Sequence, residues 1–186
     1  MITDTSGAPF AGISNPNQWA FSTKTSGPAP GTNALTVAAD GSGDFCTVQG
    51  AVDFVPAGNS NRVVINVRNG TYTEIVYIGS NKPFITVRGE DRALTVIQYA
   101  NNNNFNPTST TTRAMFGVDG NDFSLENITL QNTTPKGGSQ AEAFRGNALR
   151  DRLESRKPEE FSGHSVAAKP GHQQHGRFCH RQLYRR

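Results

Sequence analysis

Short runs of β-branched and other apolar residues recur along the middle of the chain, and turn residues separate many of them. The runs cover residues 35–38, 63–67, 75–78, 84–87, 94–97, 115–118 and 123–130. The turn residues include Asn69-Gly70, Gly79-Ser80-Asn81 and the stretches 89–91 and 119–122. Short strands with regular turn residues and almost no helical periodicity predict an all-β protein, built as a solenoid, a sandwich or a barrel.

One segment departs from this pattern and predicts a short helix. Its apolar residues follow the i, i+3, i+4, i+7 spacing of a helical face: Val48, Ala51, Val52 and Val55. Thr47 is a suitable N-cap and Pro56 ends the helix. A capping box would need Glu or Gln where Gly50 stands, so we expect a weakly capped helix. A lone amphipathic helix before a series of strands could cover the open end of a solenoid.

The first 33 residues differ in character from the strand region. Residues 17–24 partly alternate apolar and polar side chains, and residues 26–31 have the Pro/Gly composition of a linker. We interpret residues 1–33 as the remnant of an upstream β-domain followed by a linker, and an unstructured N-terminus is the alternative. Residues 1–20 have neither a basic start nor an apolar segment, so we expect no signal peptide in this chain.

Charge is distributed unevenly along the chain. The net charge of +3 combines −2 over residues 1–145 with +5 over residues 146–186, where all four histidines also lie. A step this sharp is typical of a domain boundary or a basic arm. The two cysteines exclude a disulfide scaffold. No apolar run approaches the ~18 residues that a transmembrane helix needs, which excludes a helical membrane protein.

Several blocks of sequence, in order, resemble the catalytic domain of pectin methylesterases. They cover residues 35–53, 69–74, 85–91, 126–133 and 137–143. The resemblance implies a right-handed parallel β-helix, truncated here, with a short N-terminal capping helix and with residues 34–145 as the partial helix. It also implies hydrolysis of galacturonate methyl esters in pectin, an extracellular location, and no metal or organic cofactor.

In this family an aspartate attacks the ester, a second acts as general acid and then base, and two glutamines donate to the oxyanion. A carboxylate nucleophile divides the hydrolysis into two easier steps, and a protonated carboxyl supplies the proton for methanol. Neutral amides stabilise the oxyanion without neutralising the nucleophile. By resemblance, Gln140 is the first of these glutamines and also contacts substrate. Thr110 matches a substrate-contacting threonine by its spacing to Gln140. Asn127 and Asn132 are interpreted as structural asparagines.

The family's later motifs are missing from the printed sequence. No Gln-Asp pair follows Arg145, and Asp151 stands in no matching context. A one-nucleotide shift of the reading frame over residues 160–168 permits Ser-Phe-Gln-Asp-Thr-Leu, which contains a family motif. The same shift over residues 176–186 permits an aspartate-bearing strand that also resembles the family. We therefore hypothesise a frame slip after Arg145 and upstream of Glu160. Residues 146–186 are then a basic tail, translated out of frame or disordered and without strand patterning.

Other interpretations remain open for the tail and for the whole chain. A zinc cluster would use His172, His175, Cys179 and His180, but their spacing matches no common zinc site. A nucleic-acid arm would use Arg177, Arg181, Arg185 and Arg186 with Phe178 and Tyr184. We expect pectin as partner, and neither nucleic acid, membrane nor metal. Without the catalytic aspartates we expect the chain to be inactive, and the alternative is a non-catalytic, polysaccharide-binding β-helix fragment. A β-helix lyase would need calcium-binding carboxylates that the sequence does not supply.

Overall fold

A computed structural model describes residues 5–9, 12, 24, 26–106 and 113–154. Within these residues it contains eleven β-strands and one α-helix. In chain order they are β1 (Ala34–Val37), α1 (Val48–Phe54), β2 (Val63–Val67), β3 (Gly70–Thr73), β4 (Val76–Ile78), β5 (Ile85–Gly89), β6 (Thr95–Tyr99), β7 (Ala114–Val118), β8 (Ser124–Glu126), β9 (Thr129–Asn132), β10 (Glu142–Gly146) and β11 (Arg152–Glu154). No helix in this part of the chain has the length and apolarity to cross a membrane.

The strands form three parallel sheets that the chain visits in rotation. One sheet has the order β1-β2-β5-β8-β11, the second β4-β7-β10 and the third β3-β6-β9. Within each sheet, neighbouring strands therefore come from successive turns of the chain, and the inner strands pair with both the preceding and the following turn. This arrangement is a parallel β-helix, which confirms the predicted fold and excludes the sandwich and the barrel.

Like residues stack on one another from coil to coil inside the solenoid. Ile65 pairs with Val87, Val87 with Leu125, and Leu125 with Leu153. The side chains of Ile65 and Val87 are fully buried. Farther along, the rings of Phe116, Phe123 and Phe144 pack with centroids 5.9 to 6.4 Å apart. Parallel in-register pairing thus produces a continuous apolar core from the period-two pattern of each strand.

The helix α1 lies against β1, β2 and β4, and it is held more firmly than the sequence predicted. The Thr47 hydroxyl accepts a hydrogen bond from Gly50 N at 3.1 Å, as expected for an N-cap. In place of a capping-box residue, Glu74 from the next coil accepts from Val48 N and Gln49 N at 2.9 and 2.8 Å. The expectation of weak capping is therefore wrong, because a tertiary partner supplies the acceptor that the local sequence lacks.

The segment 123–130, predicted as one strand, is two strands with a corner between them. Asn127 occupies the corner with φ of 55°, in the left-handed region that asparagine tolerates better than most residues. Its Nδ2 donates to the carbonyl oxygens of Gly89 and Glu90, both at 3.0 Å. The structural role predicted for Asn127 is confirmed, and the apolar pattern alone did not reveal the bend.

The solenoid continues beyond residue 145. The strand β11 pairs with β8 through Leu153↔Leu125, although no strand was expected in this region. With three residues and one partly buried apolar side chain, it is too short to show alternation in the sequence. Residues 155–186, with the candidate zinc and nucleic-acid residues, lie outside the described part, as does most of the predicted N-terminal strand.

Candidate active site

The predicted site residue Gln140 lies in the segment between β9 and β10, two residues before Glu142 begins the strand. Its side chain is exposed to solvent. Its carbonyl oxygen accepts a hydrogen bond from Asn103 N at 2.9 Å, which ties this segment to the loop after β6. Thr110, the other predicted substrate contact, lies outside the described residues.

One hydrogen bond orients the side-chain amide of Gln140. Its Oε1 accepts a hydrogen bond of 2.8 Å from Nη1 of Arg113, the residue just before β7. Within the described residues no acceptor engages its Nε2. Because the amide oxygen is bound by the guanidinium, the two N–H bonds of the amide face away from Arg113. Gln140 thus presents hydrogen-bond donors rather than its acceptor.

Arg113 is in turn held by a buried carboxylate, that of Glu142. Its Nε and Nη2 both lie 2.8 Å from Oε1 of Glu142. Arg145 binds the same carboxylate, with Nε 2.6 Å from Oε2 and Nη2 2.6 Å from Oε1. Burial raises the pKa of Glu142, but the hydrogen bonds and charges of Arg145 and Arg113 outweigh it and lower the pKa below its ordinary value. Glu142 is therefore ionised, and the three charged groups carry a net charge of +1.

Two asparagines fix the backbone around this cluster. Nδ2 of Asn132 donates to the carbonyl oxygen of Asn101 at 2.6 Å and to that of Glu142 at 3.0 Å. Asn101 in turn donates from its Nδ2 to the carbonyl oxygen of Ala114 at 2.8 Å. Both asparagines are buried. The structural role predicted for Asn132 is confirmed: it connects β9, β10 and the loop after β6.

A second unusual carboxyl, Asp151, lies just before β11. Burial raises its pKa to about 7, against a backbone hydrogen bond from Phe123, and the charges of Asp122 and Asp119 raise it further. Its buried Oδ1 has no hydrogen-bond partner among the residues that the structure describes. Its Oδ2 lies so close to Gly146 that a Cβ there would be 2.7 Å away. The partly exposed carboxyl is packed against the backbone at Gly146 and Phe123.

A groove of about 570 Å³ lies on the polar outer face of the five-stranded sheet, separate from Gln140. Arg88 and Glu126 form an ion pair of 2.7 Å on this face. The remaining lining includes Asn66, Arg68, Glu90, Asn127 and Glu154. Charges of both signs and amide groups fit a polar ligand better than an apolar one.

The described part of the chain therefore holds a glutamine amide that presents N–H donors, and the carboxylate beside it, Glu142, is bound by two arginines. Glu142 is unsuited to nucleophilic attack because guanidinium groups bind both of its oxygens. Sequence reasoning missed Arg113, Glu142 and Arg145. Glu142 carried a signal, since alternation places it on the same side of β10 as the core residue Phe144. A carboxylate at such a position needs charged partners.

The fold agrees with what comparison with known proteins shows. Residues 34–157 match the family model described as Pectinesterase. Pectinesterase 31 of Arabidopsis thaliana is 40% identical over 128 residues, which cover 64% of this chain and 40% of that protein. The chain thus spans less than half the length of this relative.

Comparison with solved structures also finds pectin methylesterases. The pectin methylesterase from carrot superposes with a TM-score of 0.59 and 33% identity, covering 71% of this chain and 40% of that one. The Aspergillus niger pectin methylesterase gives a TM-score of 0.59 with 26% identity, covering 75% of this chain and 46% of that one. With a family match over about two thirds of its residues, this chain belongs to the pectinesterase family.

Proposed function

We propose that this chain derives from an enzyme that hydrolyses the methyl esters of galacturonate units in pectin, with Gln140 as an oxyanion donor. The observation that carries the proposal is the orientation of the Gln140 amide, whose oxygen is bound by Arg113 while no acceptor among the described residues engages its N–H groups. Family membership supports the same reaction class, carboxylic ester hydrolysis.

The proposed chemistry requires two carboxyl groups besides this amide. A carboxylate attacks the ester carbonyl carbon, and the carbonyl oxygen takes the negative charge that Gln140 stabilises. The tetrahedral intermediate collapses, the bond to the methoxy group breaks, and a second carboxyl gives its proton to leaving methanol. Water then hydrolyses the acyl-enzyme with that second group acting as base. Gln140 suits the oxyanion position because a neutral donor leaves the nucleophile charged.

We further propose that the 186-residue chain binds its substrate without turning it over. The printed sequence offers no motif for the two aspartates after Arg145. The family match ends at residue 157, three residues before Glu160, which supports a frame slip in that short interval. Sequencing the gene from codon 140 past codon 186 tests this. An open shifted frame that encodes the Gln-Asp motif is expected, and early stop codons in that frame would overturn it.

The enzymatic test compares binding with turnover on the same sample. The chain is incubated with highly methyl-esterified pectin while methanol release is measured, and binding is followed by affinity electrophoresis in gels containing that pectin. We expect retardation in the gel and no methanol above the blank. Methanol release would overturn the proposed inactivity, and the absence of both binding and release would overturn pectin as the ligand.

The groove on the five-stranded sheet favours a second candidate, a non-catalytic polysaccharide-binding module. Its Arg88–Glu126 pair and neighbouring amides can hydrogen-bond sugar hydroxyl and carboxylate groups. If this surface carries the binding, Arg88→Gln abolishes gel retardation while Gln140→Leu leaves it unchanged. The reverse result assigns binding to the Gln140 site. We infer an extracellular location from the substrate, and neither nucleic acid nor membrane as partner.

A further inference from the structure

We propose that Arg113 is a positioning residue that locks the Gln140 amide with its N–H groups toward the ester, and that Glu142 fixes Arg113 in that role. The inference rests on the proposed function for its purpose, but the locking itself is a property of the free chain. Each link in the series Glu142, Arg113, Gln140 is a hydrogen bond of 2.8 Å.

The geometry of Arg113 explains why arginine suits this position. Its Nε and Nη2 bind one carboxylate oxygen, while Nη1 reaches the amide oxygen of Gln140. A guanidinium is planar with donors in a fixed fork, so binding at one edge sets the direction of the other edge. The side chain is also largely enclosed, with 18% of its surface exposed. The orientation is therefore transmitted from the buried carboxylate to the exposed amide.

Locking the amide matters because an unfixed glutamine can present either end. A rotated amide would direct its oxygen toward the developing oxyanion and repel it. An exposed glutamine also loses side-chain entropy when it is immobilised on binding. Arg113 removes both costs before the ligand arrives, which is the preorganisation that oxyanion stabilisation requires.

Arg145 supplies the charge balance that lets Arg113 act. It binds both oxygens of Glu142, so the carboxylate stays ionised and retains a partner when Arg113 is substituted. Substituting Arg113 therefore leaves a paired carboxylate rather than an isolated buried charge. This redundancy makes Arg113→Gln a usable variant, since the main cost of a broken buried ion pair is the unpaired partner.

The test measures the Gln140 amide directly by NMR in the ¹⁵N-labelled chain. Its Nε2 signal is assigned by its loss in Gln140→Leu. In the unsubstituted chain we expect a rigid amide, and in Arg113→Gln an order parameter below about 0.6. Arg113→Lys keeps the charge but not the fork, so the amide is also released. Arg88→Gln breaks an ion pair on another face and leaves the amide rigid. Backbone signals of residues 143–146 report whether β10 remains folded.

Binding of methyl-esterified trigalacturonate completes the test. We expect about fivefold weaker binding for both Arg113→Gln and Arg113→Lys, the range of one hydrogen bond. If the Gln140 amide stays rigid in Arg113→Gln while β10 is folded, the positioning role is wrong. It is also wrong if Arg113→Lys keeps both the rigid amide and the affinity of the unsubstituted chain. Disruption of the β10 signals in both variants would also overturn it, since Arg113 would then be structural. If no form binds the ester while the amide responds as expected, the proposed substrate fails and the locking stands.

Discussion

The carboxylate of Glu74 and the ammonium group of Lys82 hold opposite ends of the same helix. Glu74 accepts hydrogen bonds from Val48 N and Gln49 N at the start of α1. Nζ of Lys82 donates to the carbonyl oxygens of Val52, Asp53 and Val55 at its end, at 2.7 to 2.9 Å. A negative group at the N-terminus and a positive group at the C-terminus is the order that the helix dipole favours.

Replacing Glu74 by glutamine should loosen the helix. An amide can serve only one of the two N–H groups with its oxygen, and its own N–H groups face the other. We expect Glu74→Gln to lower the free energy of unfolding by about 1–2 kcal/mol in urea denaturation. The matched control is Glu126→Gln, which breaks the partly exposed pair with Arg88 and should change less than about 0.5 kcal/mol. Equal losses in both variants would contradict this account.

The contact between adjacent coils at Gly89 leaves no room for a side chain. A Cβ there would collide with the carbonyl oxygen of Asn127 and lie 2.7 Å from Cγ1 of Ile128. We expect Gly89→Ala to destabilise the chain by about 3 kcal/mol, because backbone must move. At Gly27 a Cβ meets nothing within 4 Å, so Gly27→Ala should be neutral. Thermal unfolding of both variants compares them, and a neutral Gly89→Ala would show that the coils can separate at this corner.

Asn132 should be sensitive to both truncation and charge. Its amide satisfies two buried carbonyl oxygens, and its Oδ1 accepts from Thr134 N at 3.0 Å. We expect Asn132→Ala to cost about 2–3 kcal/mol in denaturant unfolding, since these groups lose their partners. Asn132→Asp should cost more, because a carboxylate would oppose the two carbonyls. The exposed Asn104 provides the control, and a loss in Asn104→Ala as large as in Asn132→Ala would refute the assignment.

Asp151 should make stability fall as pH rises. The folded chain holds a proton on this carboxyl up to pH about 7, whereas the unfolded chain releases it near 3.8. Between these values the folded state binds more protons, so each rise in pH favours unfolding. The loss is complete above pH 7. It amounts to at most about 4 kcal/mol, which solvent near the partly exposed carboxyl reduces to about 2 kcal/mol.

The variant that checks this is Asp151→Asn, measured by denaturant unfolding at pH 5 and pH 8. Asparagine cannot ionise, so we expect the variant to be more stable than the unsubstituted chain by about 2 kcal/mol at pH 8 and by less than half of that at pH 5, where only part of the loss has occurred. Asp122→Asn serves as the contrast, because the Arg150 hydrogen bonds lower the pKa of Asp122 and should produce no such gain at pH 8. If Asp151→Asn and the unsubstituted chain differ in stability by the same amount at both pH values, this account is wrong.

Much of the fold was visible in the sequence because its local signals agree with its tertiary structure. The segment 63–67 was predicted as a strand with the bounds that β2 has, and Thr47 caps α1 as its position indicated. The corner at Asn127 was missed because an apolar pattern continues across a bend in the backbone. The strand β11 was missed because its pairing with β8, rather than its own composition, makes it a strand.

The candidate site, like the fold, was predictable from the sequence only in part. The position of Gln140 in a recognisable motif made it the candidate, but nothing local indicated that Arg113, 27 residues away, binds its amide oxygen. Parallel pairing of β7 with β10 brings these two segments side by side. The register of the sheet, which depends on stacking of whole coils, therefore determines the orientation of the site amide.

By itself, the sequence determined the all-β class, the solenoid option, the lone helix and the reaction family. These follow from strand length, turn residues and ordered motifs, which are properties of short segments. Only the tertiary structure decided how α1 is capped, how Glu142 and Asp151 ionise, and which way Gln140 faces. Each of these depends on groups from different coils, because hydrogen bonding, burial and charge act through distances that chain order does not reveal.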